Sequence, residues 1–151
     1  MVKILEKVCL NPTVTKLVVE HEKIAKKAKA GQFIILRVDS EGERIPLTIA
    51  DTNPQENTVT IIFQVVGATT KKLNTLEVGD MIYDFVGPLG KPSEIENLKK
   101  VCVIGGGVGC AIAYPTAKAL HNQGSEVTTI VGFRNKDLLI LEDEFKAVSD
   151  R

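Results

Sequence analysis

Short runs of alternating apolar and polar residues fill the chain up to about residue 97, and this is the pattern of strands that bury one face. The clearest run covers residues 58–66, where every second residue is apolar: Val59, Ile61, Phe63 and Val65. Similar runs, separated by Gly, Pro, Asn and Asp, cover residues 3–10, 13–20, 32–38, 45–50 and 81–86. Several short strands at this spacing predict a closed antiparallel barrel, which leaves no free sheet edge.

The pattern changes in the rest of the chain, where apolar runs alternate with segments of helical periodicity. Residues 100–105 predict a short apolar strand, glycines follow at once, and residues 110–122 predict a helix. Residues 126–131 then predict a second strand and residues 138–148 a second helix. The order β-α-β-α is typical of a parallel sheet with helical crossovers.

These two patterns predict two domains, residues 1–97 and residues 98–151, with a linker near residues 90–98 that contains Pro92. Doubly wound sheets usually have about five or six strands, so two strands are too few for a complete domain of that kind. We therefore expect the second domain to be the start of a parallel-sheet nucleotide-binding domain. It is either truncated or completed by something outside this chain.

Composition and charge exclude several classes of protein. The chain has 19 basic and 19 acidic residues and no net charge, whereas a nucleic-acid-binding protein usually carries a basic face. No apolar run reaches the length of about 20 residues that a membrane span needs. The three cysteines, Cys9, Cys102 and Cys110, form no CxxC pair, and a reducing cytoplasm fits them best. We expect no metal site, and we expect Cys9 and Cys102 to be buried in strands.

A glycine-rich loop, Gly105-Gly106-Gly107-Val108-Gly109, lies between the first strand and the first helix of the second region. Glycine lets backbone amides approach a ligand closely, and a helix N-terminus presents unpaired N–H groups and the positive end of the helix dipole. The loop is therefore predicted to bind the pyrophosphate of a nucleotide. The alternative is that the glycines serve only a tight turn between strand and helix.

This loop departs from the dinucleotide fingerprint G-x-G-x-x-G in two ways. The third glycine of that motif would fall at Cys110, and the acidic residue expected at the end of the second strand is absent. Arg134 follows that strand instead, where it could face a nucleotide phosphate or lie in solvent. A conventional Rossmann dehydrogenase is therefore disfavoured. At Cys110 the helix dipole would lower the pKa of a thiol, but a small residue that permits close packing is the favoured interpretation.

Two stretches of the first region offer further anion-binding groups. Residues 44–49 read Arg-Ile-Pro-Leu-Thr-Ile, in which Arg44 presents a planar fork of donors for phosphate oxygens and Thr48 a hydroxyl on the same face. Taken alone, this could be an edge strand with a surface arginine. Residues 64–70 read Gln-Val-Val-Gly-Ala-Thr-Thr, where a strand ends at Gly67 and a helical run follows. A second helix start of this kind suits a dinucleotide flavin.

In combination these motifs are similar to those of a known family. RIPLTIA resembles the Arg-x-Pro-Leu-Ser/Thr flavin motif of the ferredoxin reductase superfamily, and VVGATTKKL resembles its second flavin-contacting segment. VGPLGKP resembles the strand end before its interdomain linker, and VCVIGGGVGCAIAYPTAKAL its nicotinamide-nucleotide loop and helix. VGFRNKDLLILEDEF is similar to the stretch that follows. The chain resembles the small subunits of ferredoxin–NADP reductase, also called sulfide dehydrogenase β subunits, and the electron transfer subunits of dihydroorotate dehydrogenase.

The resemblance implies a six-stranded Greek-key barrel that binds FAD, followed by the start of an NAD(P)-binding domain. The residues implied along the flavin are Arg44, Pro46, Leu47 and Thr48. Those implied at its pyrophosphate are Gly67, Ala68, Thr69 and Thr70. Those implied at the nicotinamide nucleotide are Gly105, Gly106, Gly107, Val108 and Gly109, and Arg134 stays a candidate beside them.

The function implied by the resemblance is electron transfer between NAD(P)H, FAD and the redox centre of a partner. The implied partners are a larger catalytic or glutamate-synthase-like flavoprotein subunit, and ferredoxin. Relatives of this type also carry a [2Fe–2S] cluster, which needs a set of clustered cysteines, so that cluster is expected only in a missing C-terminal region. The alternative from another class is a non-catalytic barrel that binds a ligand or a partner without flavin.

Overall fold

The strands of the first region form one antiparallel sheet that curls into a barrel. The computed structural model describes residues 1–151. The strands are β1 (Val2–Asn11), β2 (Val14–Glu20), β3 (Phe33–Arg37), β4 (Arg44–Asn53), β5 (Thr58–Gln64), β6 (Met81–Ile82) and β7 (Asp84–Leu89). Their order in the sheet is β6-β1-β2-β5-β4-β3-β7. Because only Tyr83 separates β6 from β7, the two ends of the sheet are consecutive pieces of chain and meet in a Greek-key barrel.

The predicted six-stranded barrel is confirmed, with one difference at its last strand. The sequence predicts a single strand over residues 81–86, whereas the structure divides it at Tyr83. The first piece, β6, pairs with β1, and the second piece, β7, pairs with β3. The division follows from this change of partner, since one stretch of backbone completes both edges of the sheet.

The inward faces of the barrel strands form the first of two core clusters. Leu17, Val59 and Ile61 are fully buried in it, and Val65 packs against it. The alternation predicted for residues 58–66 therefore holds in three dimensions. Burial of apolar side chains of this size stabilises the barrel by about 1.5–3 kcal/mol each, which makes this cluster the main source of its stability.

Two short helices, α1 (Glu22–Lys27) and α2 (Ala68–Thr75), pack onto the barrel. Ile24 of α1 and Leu73 of α2 are fully buried in the first core cluster. His21 is the N-cap residue of α1, and its Nδ1 atom accepts a hydrogen bond from the backbone N–H of Ile24 at 3.3 Å. Burial lowers the pKa of His21, which favours the neutral imidazole that can accept this bond.

Lys7 holds the C-terminal end of α2. Its Nζ atom donates hydrogen bonds to the carbonyl oxygens of Asn74 at 2.7 Å and Leu76 at 2.8 Å and lies 3.1 Å from the carboxylate of Glu77. The last carbonyl groups of a helix lack intrahelical partners and carry partial negative charge, so a cation there is stabilising. The Thr15 hydroxyl adds a 2.7 Å hydrogen bond to the side-chain oxygen of Asn74.

Replacing Lys7 with methionine is expected to lower the free energy of unfolding by about 1 kcal/mol, because the terminal carbonyls of α2 lose their cation. Thermal unfolding followed by circular dichroism measures this change. The control is Lys71→Met, since Lys71 is exposed on the same helix and forms no ion pair. Equal unfolding temperatures for the two variants would show that Lys7 does not stabilise α2.

The second region has the predicted strand–helix–strand order. It contains β8 (Lys100–Gly106), a 3₁₀ turn at Gly107–Gly109, α3 (Cys110–Asn122), β9 (Glu126–Gly132), a second 3₁₀ turn at Lys136–Leu138 and α4 (Glu142–Val148). The strands β8 and β9 are parallel, and their register runs without a shift from the start of each strand to its end. This is the start of a parallel nucleotide-binding sheet.

The last helix is shorter than the sequence predicts. Helical periodicity predicts a helix over residues 138–148, but α4 begins only at Glu142. Leu139 is extended, and Leu141 has φ of 59°, a left-handed conformation that a helix cannot contain. Ile140 and Leu141 are buried in the second core cluster, so tertiary packing overrides the local periodicity.

None of the four helices combines the length and apolar character needed to cross a lipid bilayer.

The second core cluster joins the barrel to the α/β region. Its barrel members are Val14, Ala50 and Ile62, and its members from α3 include Ala111, Tyr114 and Leu120. At the rim of this contact, Lys118 Nζ of α3 lies 2.6 Å from Asp51 Oδ1 of β4. The predicted domain boundary between residues 97 and 98 lies in the linker between β7 and β8, and the division into two domains stays a prediction.

The prediction that Cys9 and Cys102 are buried is wrong, since both thiols are exposed. On β8, Val101 and Val103 face the second core cluster, so the alternation of the strand turns Cys102 to the opposite face of the sheet. On β1, Cys9 lies between two register shifts, one between Ile4 and Glu6 and one between Cys9 and Asn11, so the alternation of this strand is irregular.

Candidate functional site

The first residues of β4 present alternate side chains to the outside of the barrel. Arg44 and Pro46 are exposed and Thr48 is half-buried, which places the three predicted flavin-contacting residues on one face of the strand. Ile45 and Leu47 face the other way and pack against the first core cluster. Leu47 therefore has a packing role, and its contact with a flavin stays a prediction.

Arg44 is the exposed cation of this face. Its Nη2 atom lies 3.3 Å from Asp84 Oδ2 of β7, and 61% of its side chain is exposed to solvent. A guanidinium has several donors in a rigid fork, so one contact with a carboxylate leaves others free. Arg44 can therefore bind an external anion without breaking its internal contact.

Hydrogen bonds of Thr70 stabilise the start of α2. Its hydroxyl oxygen accepts hydrogen bonds from the backbone N–H groups of Val66 at 3.0 Å and Gly67 at 2.9 Å and donates to the Gly67 carbonyl at 3.1 Å. The first amides of the helix have no intrahelical acceptor. A Cβ atom at Gly67 would meet nothing within 4 Å, so there is open space beside these amides. The hydroxyl of Thr70 itself is engaged in the turn.

Side-chain contacts tie the start of α2 to the start of β4. The Thr69 hydroxyl donates a hydrogen bond to Glu43 Oε2 at 3.3 Å, and Glu43 directly precedes Arg44. One helical turn further on, Lys72 pairs with Asp39, and the hydrogen bond from Lys72 is the main reason that the pKa of Asp39 is lowered. The structure thus brings together the two barrel segments that the sequence predicts to contact a flavin.

The glycine loop at residues 105–109 divides into a packed glycine and open ones. A Cβ atom on Gly105 would lie 3.1 Å from the Cα and Sγ atoms of Cys110 and 3.3 Å from Cβ of Ala113. Gly105 is therefore required for close packing of β8 against α3, which supports the tight-turn interpretation at this position. Its contact with a nucleotide stays a prediction.

The other glycines of the loop leave space for a ligand. A Cβ atom on Gly106, Gly107 or Gly109 would meet nothing within 4 Å, and Gly107 has φ of 52°, in the left-handed region that favours glycine. The side chain of Val108 packs against the second core cluster and anchors the loop. These positions combine an open surface with the start of α3, as an anion-binding loop requires.

Arg134 and Cys110, the two remaining candidates near this loop, differ in their exposure to solvent. Arg134 is exposed and follows Gly132, which pairs with Gly106 of β8, so it belongs to the same edge of the sheet as the glycine loop. Both interpretations of Arg134, a phosphate contact and a solvated residue, remain open. Cys110 is fully buried, and burial raises the pKa of its thiol. This favours a packing role for Cys110.

Sequence reasoning missed three residues that shape the candidate site: Arg37, Glu43 and Asp84. Arg37 pairs in register with Arg44 on one side and with Asp84 on the other. The pairing of Arg37 with Asp84 joins β3 to β7, two strands far apart in sequence, and no local pattern signals it. The clustering of their charges depends on the register of β3, β4 and β7.

Comparisons with known proteins identify the family. No protein-family model matches the chain. A relative from Thermotoga maritima, an electron transfer subunit homolog of dihydroorotate dehydrogenase B (NAD(+)), is 48% identical over 148 residues, which is 98% of this chain and 52% of the relative. A solved structure of an NADH-dependent reduced ferredoxin-NADP oxidoreductase, described for flavin-based electron bifurcation, matches with a TM-score of 0.93 and 45% identity, over 99% of this chain and 54% of that one. The chain belongs to the ferredoxin reductase superfamily.

More distant members of the superfamily have the same fold. A ferredoxin-NADP+ reductase from Plasmodium falciparum matches with a TM-score of 0.78 at 19% identity, over 97% of this chain and 63% of that one. This likeness concerns the fold alone. The chain spans about half the length of the curated relatives that it matches.

Proposed function

We propose that this chain is the FAD-binding part, with the start of the NAD(P)-binding part, of an electron transfer subunit of an oxidoreductase. It would pass electrons between NAD(P)H, FAD and the redox centre of a partner. The observation that supports this most directly is the contact of Thr69 with Glu43. This contact ties the start of α2 to the residue directly before Arg44, which supports a shared role of the α2 amides and Arg44 in binding one diphosphate.

The residues present fit a bound flavin dinucleotide. Arg44 and the first amides of α2 would hold the two phosphates, since guanidinium and backbone N–H groups are the donors that phosphate oxygens prefer. An added Cβ atom at Gly67 would meet nothing within 4 Å, so there is open space there for the phosphates. Pro46 and Thr48, which lie on the same face of β4 as Arg44, would border the ribityl chain and the ring.

A nicotinamide nucleotide would lie over the open glycines of the loop at residues 105–109, with Arg134 near its phosphates. A bound flavin supplies the redox chemistry, namely acceptance of hydride and release of electrons. The chain's own contribution is alignment, because the second core cluster fixes the glycine loop relative to β4.

The partner proposed is a larger catalytic or glutamate-synthase-like flavoprotein subunit, with ferredoxin as a further electron carrier. The relatives favour two versions of this function, a ferredoxin–NADP reductase subunit and a dihydroorotate dehydrogenase electron transfer subunit. Two exposed free thiols, Cys9 and Cys102, fit a reducing compartment, and we place the protein in the cytoplasm. We assign no iron–sulfur cluster to this chain, since its three cysteines are fewer than such a cluster needs.

The test is a titration of the purified 151-residue chain with FAD. Bound flavin is expected to absorb near about 450 nm and to remain with the protein through gel filtration. Riboflavin, which lacks both phosphates, is the control ligand and should bind more weakly. A colourless protein that does not respond to added FAD contradicts the proposal and favours the non-catalytic barrel.

A further inference from the structure

Three charged side chains form a row across the outer face of β4, β3 and β7. Arg44 pairs with Arg37, and Arg37 pairs with Asp84, so the three residues are direct cross-strand neighbours. Asp84 Oδ2 lies 2.9 Å from Arg37 Nε and 2.8 Å from Arg37 Nη2. The same oxygen lies 3.3 Å from Arg44 Nη2. One carboxylate therefore bridges two guanidinium groups.

The two arginines of this row are held to very different degrees. Only 19% of the Arg37 side chain is exposed, its Nη1 atom donates a 3.2 Å hydrogen bond to the Ser40 carbonyl, and its guanidinium lies 4.7 Å from the centre of the Tyr83 ring. Arg37 is thus fixed by contacts on several sides. Arg44 has 61% of its side chain exposed, and Asp84 is its one charged partner.

We propose that Asp84, held in place by Arg37, is a positioning residue that orients the Arg44 guanidinium toward the diphosphate of the bound cofactor. This inference rests on the proposed function. Asp84 engages one end of the guanidinium fork and leaves the remaining donors facing outward. Because the long, exposed side chain is already fixed before binding, less conformational entropy is lost when the ligand binds.

The carboxylate of Asp84 would by itself repel a phosphate ligand, but it lies between two arginines. Two guanidinium groups and one carboxylate leave a net charge of one positive unit, so the row as a whole attracts an anion. The contact of Arg37 with Asp84 offsets the negative charge of this carboxylate. Remaining repulsion between exposed groups is weakened further by salt, because the Debye length is about 8 Å at physiological ionic strength.

The test compares FAD and riboflavin affinities of the 151-residue chain and its variants at high salt, where exposed charges are screened. Asp84→Asn is expected to weaken FAD binding about three- to tenfold, the effect of releasing one side chain. Riboflavin affinity should change by less than about twofold, the range of independent effects. In an Arg44→Ala background, Asp84→Asn should cause no further loss. Glu41→Gln, which removes an exposed carboxylate without an ion pair, is the control for loss of charge alone.

Several outcomes would overturn the role of Asp84. Unchanged or tighter FAD binding by Asp84→Asn would do so, as would equal losses of FAD and riboflavin affinity, which indicate general distortion. A further loss in the Arg44→Ala background would show that Asp84 does not act through Arg44. Asp84→Glu, which keeps the carboxylate, should retain more FAD affinity than Asp84→Asn. If Asp84→Asn does not fold, the FAD affinity of Asp84→Glu is compared with that of the wild type instead. A wild-type chain that binds neither flavin refutes the proposed function itself, which is a separate result.

Discussion

Replacing Arg44 with alanine is expected to weaken the binding of FAD by roughly ten- to a hundredfold. Hydrogen bonds to charged groups contribute about 1.5–3 kcal/mol each, and about 1.4 kcal/mol corresponds to a factor of ten in affinity. The fold should be unaffected, because 61% of the side chain is exposed and its internal contact is a single 3.3 Å pair with Asp84. Exposed pairs of that kind contribute less than about 1 kcal/mol to stability.

Fluorescence titration with FAD measures the effect of Arg44→Ala. Two further variants test whether the guanidinium group and its position are what FAD binding requires. Arg44→Lys keeps the charge but loses the planar fork, so it should recover only part of the affinity. Arg134→Ala removes an equally charged, exposed arginine beside the other loop and should leave FAD affinity unchanged. If Arg44→Ala binds FAD as tightly as the wild type, the phosphates lie elsewhere and the assignment of Arg44 is wrong.

Replacing Gly105 with valine is expected to lower the free energy of unfolding by about 3 kcal/mol, the upper range for overpacking a close contact. The first added carbon already lies 3.1 Å from the Cα and Sγ atoms of Cys110, and both belong to the start of a packed helix. The strand and the helix must therefore separate. Because this contact also aims the start of α3, the glycine loop would be displaced together with it.

The matched control for Gly105→Val is Gly106→Val, one residue further along the same loop. Gly106 has φ of −130° and ψ of 132°, extended values that valine adopts readily. A Cβ atom there meets nothing within 4 Å. Chemical denaturation should show a large loss of stability for the first variant and almost none for the second. Similar losses for both variants would mean that packing against Cys110 is not what requires a glycine at position 105.

Much of the architecture could be predicted because its cause is local. Alternation in residues 58–66 is a property of consecutive side chains, and the structure buries the same residues, Val59, Ile61 and Phe63. The two strands and the first helix of the α/β region were likewise predictable from periodicity. The start of α4 was not, because the conformation of Leu141 is imposed by burial in the second core cluster.

In the candidate site, too, some residues were predictable from the sequence and others were not. Arg44, Gly67 and the glycine loop carry chemistry that is visible in the residue types themselves, and the superfamily resemblance adds the order in which they occur. Asp84 and Glu43 carry no such signal. Their importance comes from the pairing of β3 with β7 and from the approach of α2 to the start of β4, which are contacts between distant parts of the chain.

The sequence by itself determined the fold class and the two glycine-bearing helix starts, because hydrophobic period and backbone freedom are encoded residue by residue. The family was indicated by the resemblance of its motifs. Only the tertiary structure decided which face of each strand meets solvent, that one strand divides at Tyr83 to complete the barrel, and that Gly105 packs while Gly106 stays open. These outcomes depend on which elements become neighbours. That choice is made by burial of the whole core, a sum over distant contacts that no local window contains.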